Sequence, residues 1–197
     1  MRRDIKKIIK KYPILNKEYD IPKLQKLAEE AAELGMRGID KNLDEMGDYE
    51  TRMLVSLMAM NQAIRSETFL QAAELSSGVF QGMIALELFD EARIFAMNLC
   101  SPDGGYATAA VALLMSCDLI IKTETYRGNA DRLEKINEIR ALLASEVDKN
   151  QEALMKNDSV FRARESLNQF KGWIAGALMA GSFIGSVMIL LQSMSII

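Results

Sequence analysis

The last 26 residues of the chain, Gly172 to Ile197, contain no Asp, Glu, Lys or Arg, and no other stretch constrains the possible folds as tightly. A helix that crosses a hydrocarbon core of about 30 Å needs about 20 mostly apolar residues. At about 1.5 Å per residue the run reaches about 39 Å, enough to cross with tilt. It therefore predicts a single-span transmembrane helix over 172–197. The competing expectation is an apolar helix buried by neighbouring chains of a large, for instance viral, particle.

Charge around this run sets an expected orientation. Arg162, Arg164 and Lys171 stand just before it and no cation follows it. An excess of Lys and Arg marks the cytoplasmic side, so the bulk of the chain is expected there, in a single-pass, tail-anchored arrangement. Trp173 falls at the near interface, where an amphipathic ring is favoured. Two rows of small residues, Gly172, Gly176 and Ala180, then Ala177, Gly181 and Gly185, step by four. Rows of this kind let helix backbones approach closely in lipid. Ser182, Ser186 and Ser193 lie close to one face, with Gln192 near the far end; such a polar face suits helix–helix contact or the lining of a pore.

Upstream, 49% hydrophobic content with 3 Pro and 12 Gly in 197 residues excludes disorder as the main state. Apolar residues recur at helical spacing, and no run alternates as a strand would. The expected fold is all-α, an antiparallel helical bundle with a C-terminal span. Its parts are a basic amphipathic segment (1–12), a cytosolic bundle (20–157), and a juxtamembrane helix (160–197) leading into the span.

Along the chain, Arg2, Arg3, Lys6, Lys7, Lys10 and Lys11 surround Ile5, Ile8 and Ile9. That pattern suits an anionic membrane surface or docking of the three isoleucines on the bundle. Asp20 with Pro22 predicts a helix start, and Gly47-Asp48 a restart. The Glu29, Glu30, Glu33 cluster reads as a solvated face rather than a metal site. Residues 53–64 are apolar nearly all round, which places them mid-bundle. A soft interruption is expected at Ser76-Ser77-Gly78, a tight turn at 101–105 (SPDGG), and a central buried helix over 106–121. A second membrane segment over 105–121 stays open as an alternative. Leu133, Ile136, Leu143, Val147 and Leu154 form a narrow seam expected to pack within the chain, with a break at Asn157-Asp158-Ser159. The stretch Phe89–Pro102, FDEARIFAMNLCSP, resembles the second helix of a tetratricopeptide unit, with Ala92 and Pro102 in corresponding places. The resemblance covers one half-hairpin, no period of about 34 residues surrounds it, and it implies no repeat protein.

The chain has no histidine, which removes Ser-His-Asp and Cys-His nucleophiles and the commonest metal ligand. Neither GxxxxGK[ST] nor GxGxxG occurs. A net charge of −3 argues against a general nucleic-acid surface. Cys100 and Cys117 read as buried small hydrophobes. The expectation is a non-enzymatic scaffold or adaptor subunit of an oligomeric membrane assembly, with no cofactor, metal, nucleic acid or small-molecule substrate. Its expected partners are the lipid bilayer and copies of itself or other membrane subunits. A pore-forming subunit and a structural component of a large particle are the alternatives.

Overall fold

In the computed structural model, which describes residues 19–194 (the backbone alone for Phe161, Glu165 and 168–194), the first helix starts where a side chain satisfies its orphan donors. Asp20 accepts from Lys23 N at 3.1 Å and Pro22 occupies the first turn of α1, Ile21–Leu34. The chain leaves α1 at Gly35, whose φ of +63° is easy for glycine alone. It returns through two short pieces, α2 (Met36–Lys41) and α3 (Leu43–Met46). Asp48 then caps α4, Tyr49–Arg65, accepting from Thr51 N at 2.8 Å. The remaining helices are α5 (Phe69–Ala85), α6 (Phe89–Leu99), α7 (Ala107–Arg127) and α8 (Ala130–Met194). The described residues contain no strand, so the fold is all-α.

Helix α5 runs unbroken through Ser76-Ser77-Gly78, contrary to the expected interruption there. Ser76 donates to Ala73 O at 2.6 Å and Ser77 meets the Ser116 hydroxyl, so both hydroxyls are used inside the bundle. Gly78 sits where a Cβ would strike Met36 and Ser56. The real break follows at Leu86-Glu87-Leu88, and it copies the one at Ser66-Glu67-Thr68. Glu67 and Glu87 both take a left-handed backbone, φ +56° and +61°. In each turn the next residue donates back five positions at 2.9 Å, Thr68 N to Ala63 O and Leu88 N to Met83 O. Each turn delivers a phenylalanine, Phe69 or Phe89, onto the core. Neither turn contains Gly or Pro.

Helix α5 is the hub, packing on α1, α2, α4, α6 and α7. Gly82 lets it approach α4 so closely that a Cβ would lie 2.7 Å from Met53 Cβ. The α4 stretch expected mid-bundle buries Met53, Leu54, Val55, Met58, Ala59, Met60 and Ala63. Chain neighbours α4 and α5 are antiparallel, whereas α5 and α7 run the same way, Ser77 and Gln81 meeting Ser116 between them. The bundle is therefore mixed in direction.

Helix α7 is not a fully buried centre. It buries Ala109, Ala110, Leu113, Ser116 and Cys117, but Val111, Met115 and Leu119 are 49, 67 and 59% exposed. Asp118 sits at its rim, paired with Arg140. On α8 the seam is covered within the chain: Ile136, Ile139, Leu143 and Leu154 are buried and Val147 packs on the core. No break occurs at 157–159. Asn157 instead donates to Gly105 O at 2.7 Å, Asp158 accepts from the Thr108 hydroxyl at 2.9 Å, and Ser159 donates to Met155 O within its own helix. Asn157 and Asp158, which read as helix breakers, tie α8 to the 101–105 turn and to Thr108 at the start of α7.

By contact density the chain divides into two compact units, Met1–Ser159 and Val160–Ile197. Among the described residues no helix is long and apolar enough to cross a membrane, α7 included. The expected span at 172–197 falls on residues outside that side-chain description, although the backbone of α8 is helical to Met194.

Candidate functional site

Most residues singled out from the sequence lie outside the described side chains. These are Arg2, Arg3, Lys6, Lys7, Lys10 and Lys11 at one end and, at the other, Lys171, Trp173, both small-residue rows and the Ser182, Ser186, Gln192, Ser193 face. Arg162 and Arg164 are described, and both are exposed. Of the early acidic cluster, Glu29 and Glu33 are exposed. Glu30 is held by Lys41 and by Asn42 Nδ2, which donates at 3.1 Å. Both contacts hold its carboxyl below the usual range. Among the described residues no group of acidic and cysteine side chains is arranged to hold a metal ion.

What the bundle does present is a groove. Its floor is the exposed side of α5, Gln81 and Ala85; one wall is Tyr49 at the start of α4, the other Leu119, Ile120 and Thr123 of α7. It encloses about 180 Å³ and opens at its end into a cleft of about 320 Å³ bounded by Glu87, Glu124, Arg127, Asn129 and Arg132. Tyr49, 56% exposed, is backed by Arg52, whose guanidinium lies 5.5 Å from the ring centroid. Tyr49 and Leu119 give the groove apolar walls, and charge is confined to its end.

Arg132 organises that end. It donates to Glu87 Oε1 at 2.9 Å and to Ile84 O at 3.1 Å, capping the C-terminus of α5. Its Nε lies 3.5 Å from Glu124 Oε1, a charge contact rather than a hydrogen bond. Arg127 reaches the same oxygen at 3.5 Å. The Glu124 side chain is only 5% exposed, so the two arginines compensate a carboxylate taken out of water. The Phe89 ring lies under both Arg132 and Lys135. One residue thus ties the α5–α6 turn, the end of α7 and the start of α8 together.

The nucleophile candidates are inert by environment. Burial, and then Glu146, pushes the Cys100 thiol up to about 11; burial, and then Asp118, pushes Cys117 up to about 12. Both are free thiols, fully enclosed. Burial likewise raises the phenols of Tyr106, to about 12, and of Tyr19. The thiolate is the reactive form, and at neutral pH it is suppressed here.

No family model, curated protein or solved structure matches the chain. The groove and the Arg132 hub went unread in the sequence. Of the exposed apolar residues Val111, Met115 and Leu119, spaced by four along α7, Leu119 lines the groove. Glu87 carries no local signal, because it meets Arg132 across 45 positions of sequence, whereas Glu124 and Arg132 flank the short turn at Gly128-Asn129.

Proposed function

We propose that the chain is a non-enzymatic scaffold or adaptor subunit of an oligomeric membrane assembly. In this reading a helical bundle is held at the bilayer by a single span over 172–197. The observation that carries the reading is the run of 26 uncharged residues with two rows of small residues. Support comes from the helical backbone of α8, which continues to Met194, and from exposed Arg162 and Arg164 ahead of the run. Cations ahead of such a run favour the cytoplasmic side for the bundle. Small residues at steps of four have a use in lipid, where apolar burial no longer drives helix association and close backbone packing does.

Sizing of the full-length protein in mild detergent tests this directly. A defined oligomer that dissociates on Gly176→Leu with Gly181→Leu is expected; a strict monomer with no partner would remove the reading's support. A second reading, a pore lined by Ser182, Ser186, Ser193 and Gln192, is favoured by the clustering of the polar residues of an otherwise apolar run. Reconstituted conductance that is lost on Ser186→Leu would select it.

A further inference from the structure

We propose that α7 pairs antiparallel with α7 of a second copy of this chain, about a two-fold axis at Met115. The inference deepens the oligomeric reading above and rests on it for one thing, the local concentration of copies.

The pairing face is written along α7. At about 100° per residue, Val111, Met115, Leu119, Lys122 and Tyr126 fall within about 80° of arc and span about 22 Å of helix. Each is exposed, Met115 at 67% and Tyr126 at 96%. The other side of the helix is already occupied: Ala110, Leu113 and Cys117 are in the core and Ser116 meets Ser77 of α5. Large apolar side chains aligned on one face mark an interaction surface more than scattered ones do. Met115, in the middle, is more exposed than Val111 or Leu119 on either side. The face therefore stands proud along its middle and fits a second straight helix better than a small ligand.

The order of charge and shape along the stripe selects a second copy. A two-fold axis makes an isologous contact, so each mismatch or match occurs twice. An axis at Met115 sets Val111 against Leu119 of the second copy, Lys122 against its Thr108 and Tyr126 against its Gly104. Thr108 carries a carboxylate: its hydroxyl and its amide donate to Asp158 Oδ2 at 2.9 and 3.1 Å. Asp103, exposed, stands in the turn just ahead of it. The incoming Lys122 thus meets negative charge at both ends of the pair. Gly104 has no atom within 4 Å of the place a Cβ would take, which leaves room for the Tyr126 ring. A parallel pair would instead set Lys122 against Lys122, like charge on like.

One helix pair lies at the low end of specific interfaces, about 1,200 Å² in all. The contact is weak between dilute chains and becomes populated where copies share one bilayer or micelle, which raises their effective concentration.

Disulfide trapping of the full-length protein in detergent, with sizing of the same samples, tests the proposal. Under mild oxidation Met115→Cys should form an interchain disulfide at least tenfold faster than Ile94→Cys, which is similarly exposed, at 57%, on α6. The enclosed Cys100 and Cys117 do not compete. Val111→Cys mixed with Leu119→Cys should link at least tenfold faster than either alone. Lys122→Glu should slow the Met115→Cys reaction about fivefold, and adding Asp103→Lys should restore most of the rate. Equal rates for Met115→Cys and Ile94→Cys in a protein that sizes as an oligomer overturn the pairing and leave the membrane-assembly reading standing. A fast Met115→Cys link in a chain that fractionates without membranes does the reverse, and a monomer with neither link overturns both. Self-linking of Val111→Cys as fast as the mixture overturns the antiparallel axis. Shielding of Met115→Cys from a charged maleimide by phosphatidylcholine vesicles, with no dimer formed, would assign the face to lipid instead.

Discussion

Replacing Arg132 with Met probes the joint of the bundle while keeping the aliphatic stem. The substitution strands Glu124, whose side chain is 5% exposed, with Arg127 as its one remaining cation, itself 67% exposed and well screened. Removing one partner of a buried charge pair costs about 3–5 kcal/mol when enclosure is complete. Arg132 is 19% exposed, and Glu87, at 69%, regains water at little cost, so about 2–3 kcal/mol is the expected loss. For a chain of this size that lowers the melting midpoint by about 6–9 °C. Circular dichroism at 222 nm on the full-length protein in detergent reads it. In a Glu124→Gln background the same substitution should cost less than half as much, because no charge is then stranded. A loss below about 0.5 kcal/mol, or an equal loss in both backgrounds, would refute the assignment of Glu124 as the source of the cost.

Other expectations follow from the same packing. Gly82→Ala should destabilise by about 1–2 kcal/mol in chemical denaturation, because the overlap with Met53 outweighs the better helix propensity of alanine. At the left-handed Glu87, alanine loses the Arg132 contact and keeps the backbone strain, whereas glycine relieves that strain, so Glu87→Gly should be more stable than Glu87→Ala by about 1 kcal/mol in the same assay. Asp118, held low by Arg140, and Glu30, held low by Lys41 and Asn42, stabilise fully above the unfolded carboxylate value of about 4 and cease to as pH falls through their own lower values. The melting midpoint should therefore drop as pH is lowered from about 4 to 2, and less steeply in Asp118→Asn. Cys100 and Cys117, with thiols raised to about 11 and 12, should resist a thiol reagent at pH 8 until denaturant opens the bundle; rapid native labelling would contradict their burial.

Where a local device starts a helix, the sequence announced it. Asp20 with Pro22, and Asp48, do what their residue types predict, and the 101–105 turn separates α6 from α7. The seam of Leu133, Ile136, Leu143, Val147 and Leu154 is buried at Ile136, Leu143 and Leu154 and half-buried at Leu133 and Val147, as helical spacing requires. Turns made without turn residues stayed hidden. Glu67 and Glu87 adopt a conformation that glycine favours, set by donors reaching back five residues and by the phenylalanine that follows, not by their own preference. Ser76-Ser77-Gly78 and Asn157-Asp158-Ser159 misled for the converse reason. Ser77, Asn157 and Asp158 find partners across the bundle at Ser116, Gly105 and Thr108, while Ser76 and Ser159 donate to carbonyls of their own helices, so none of these side chains interrupts its helix. The segment 106–121 is apolar enough to read as a buried centre, yet Val111, Met115 and Leu119 are exposed along it, a distinction that hydropathy does not carry.

The central claim is that residues 172–197 hold the protein in a bilayer. Full-length protein and a version ending at Lys171, expressed side by side and fractionated, test it most directly. The account predicts that only the full-length chain sediments with membranes, resists carbonate extraction and needs detergent for release, while the shortened chain stays in the supernatant with its helical signal intact. Recovery of both versions in the supernatant would contradict the anchor and make the apolar run an assembly helix covered by protein.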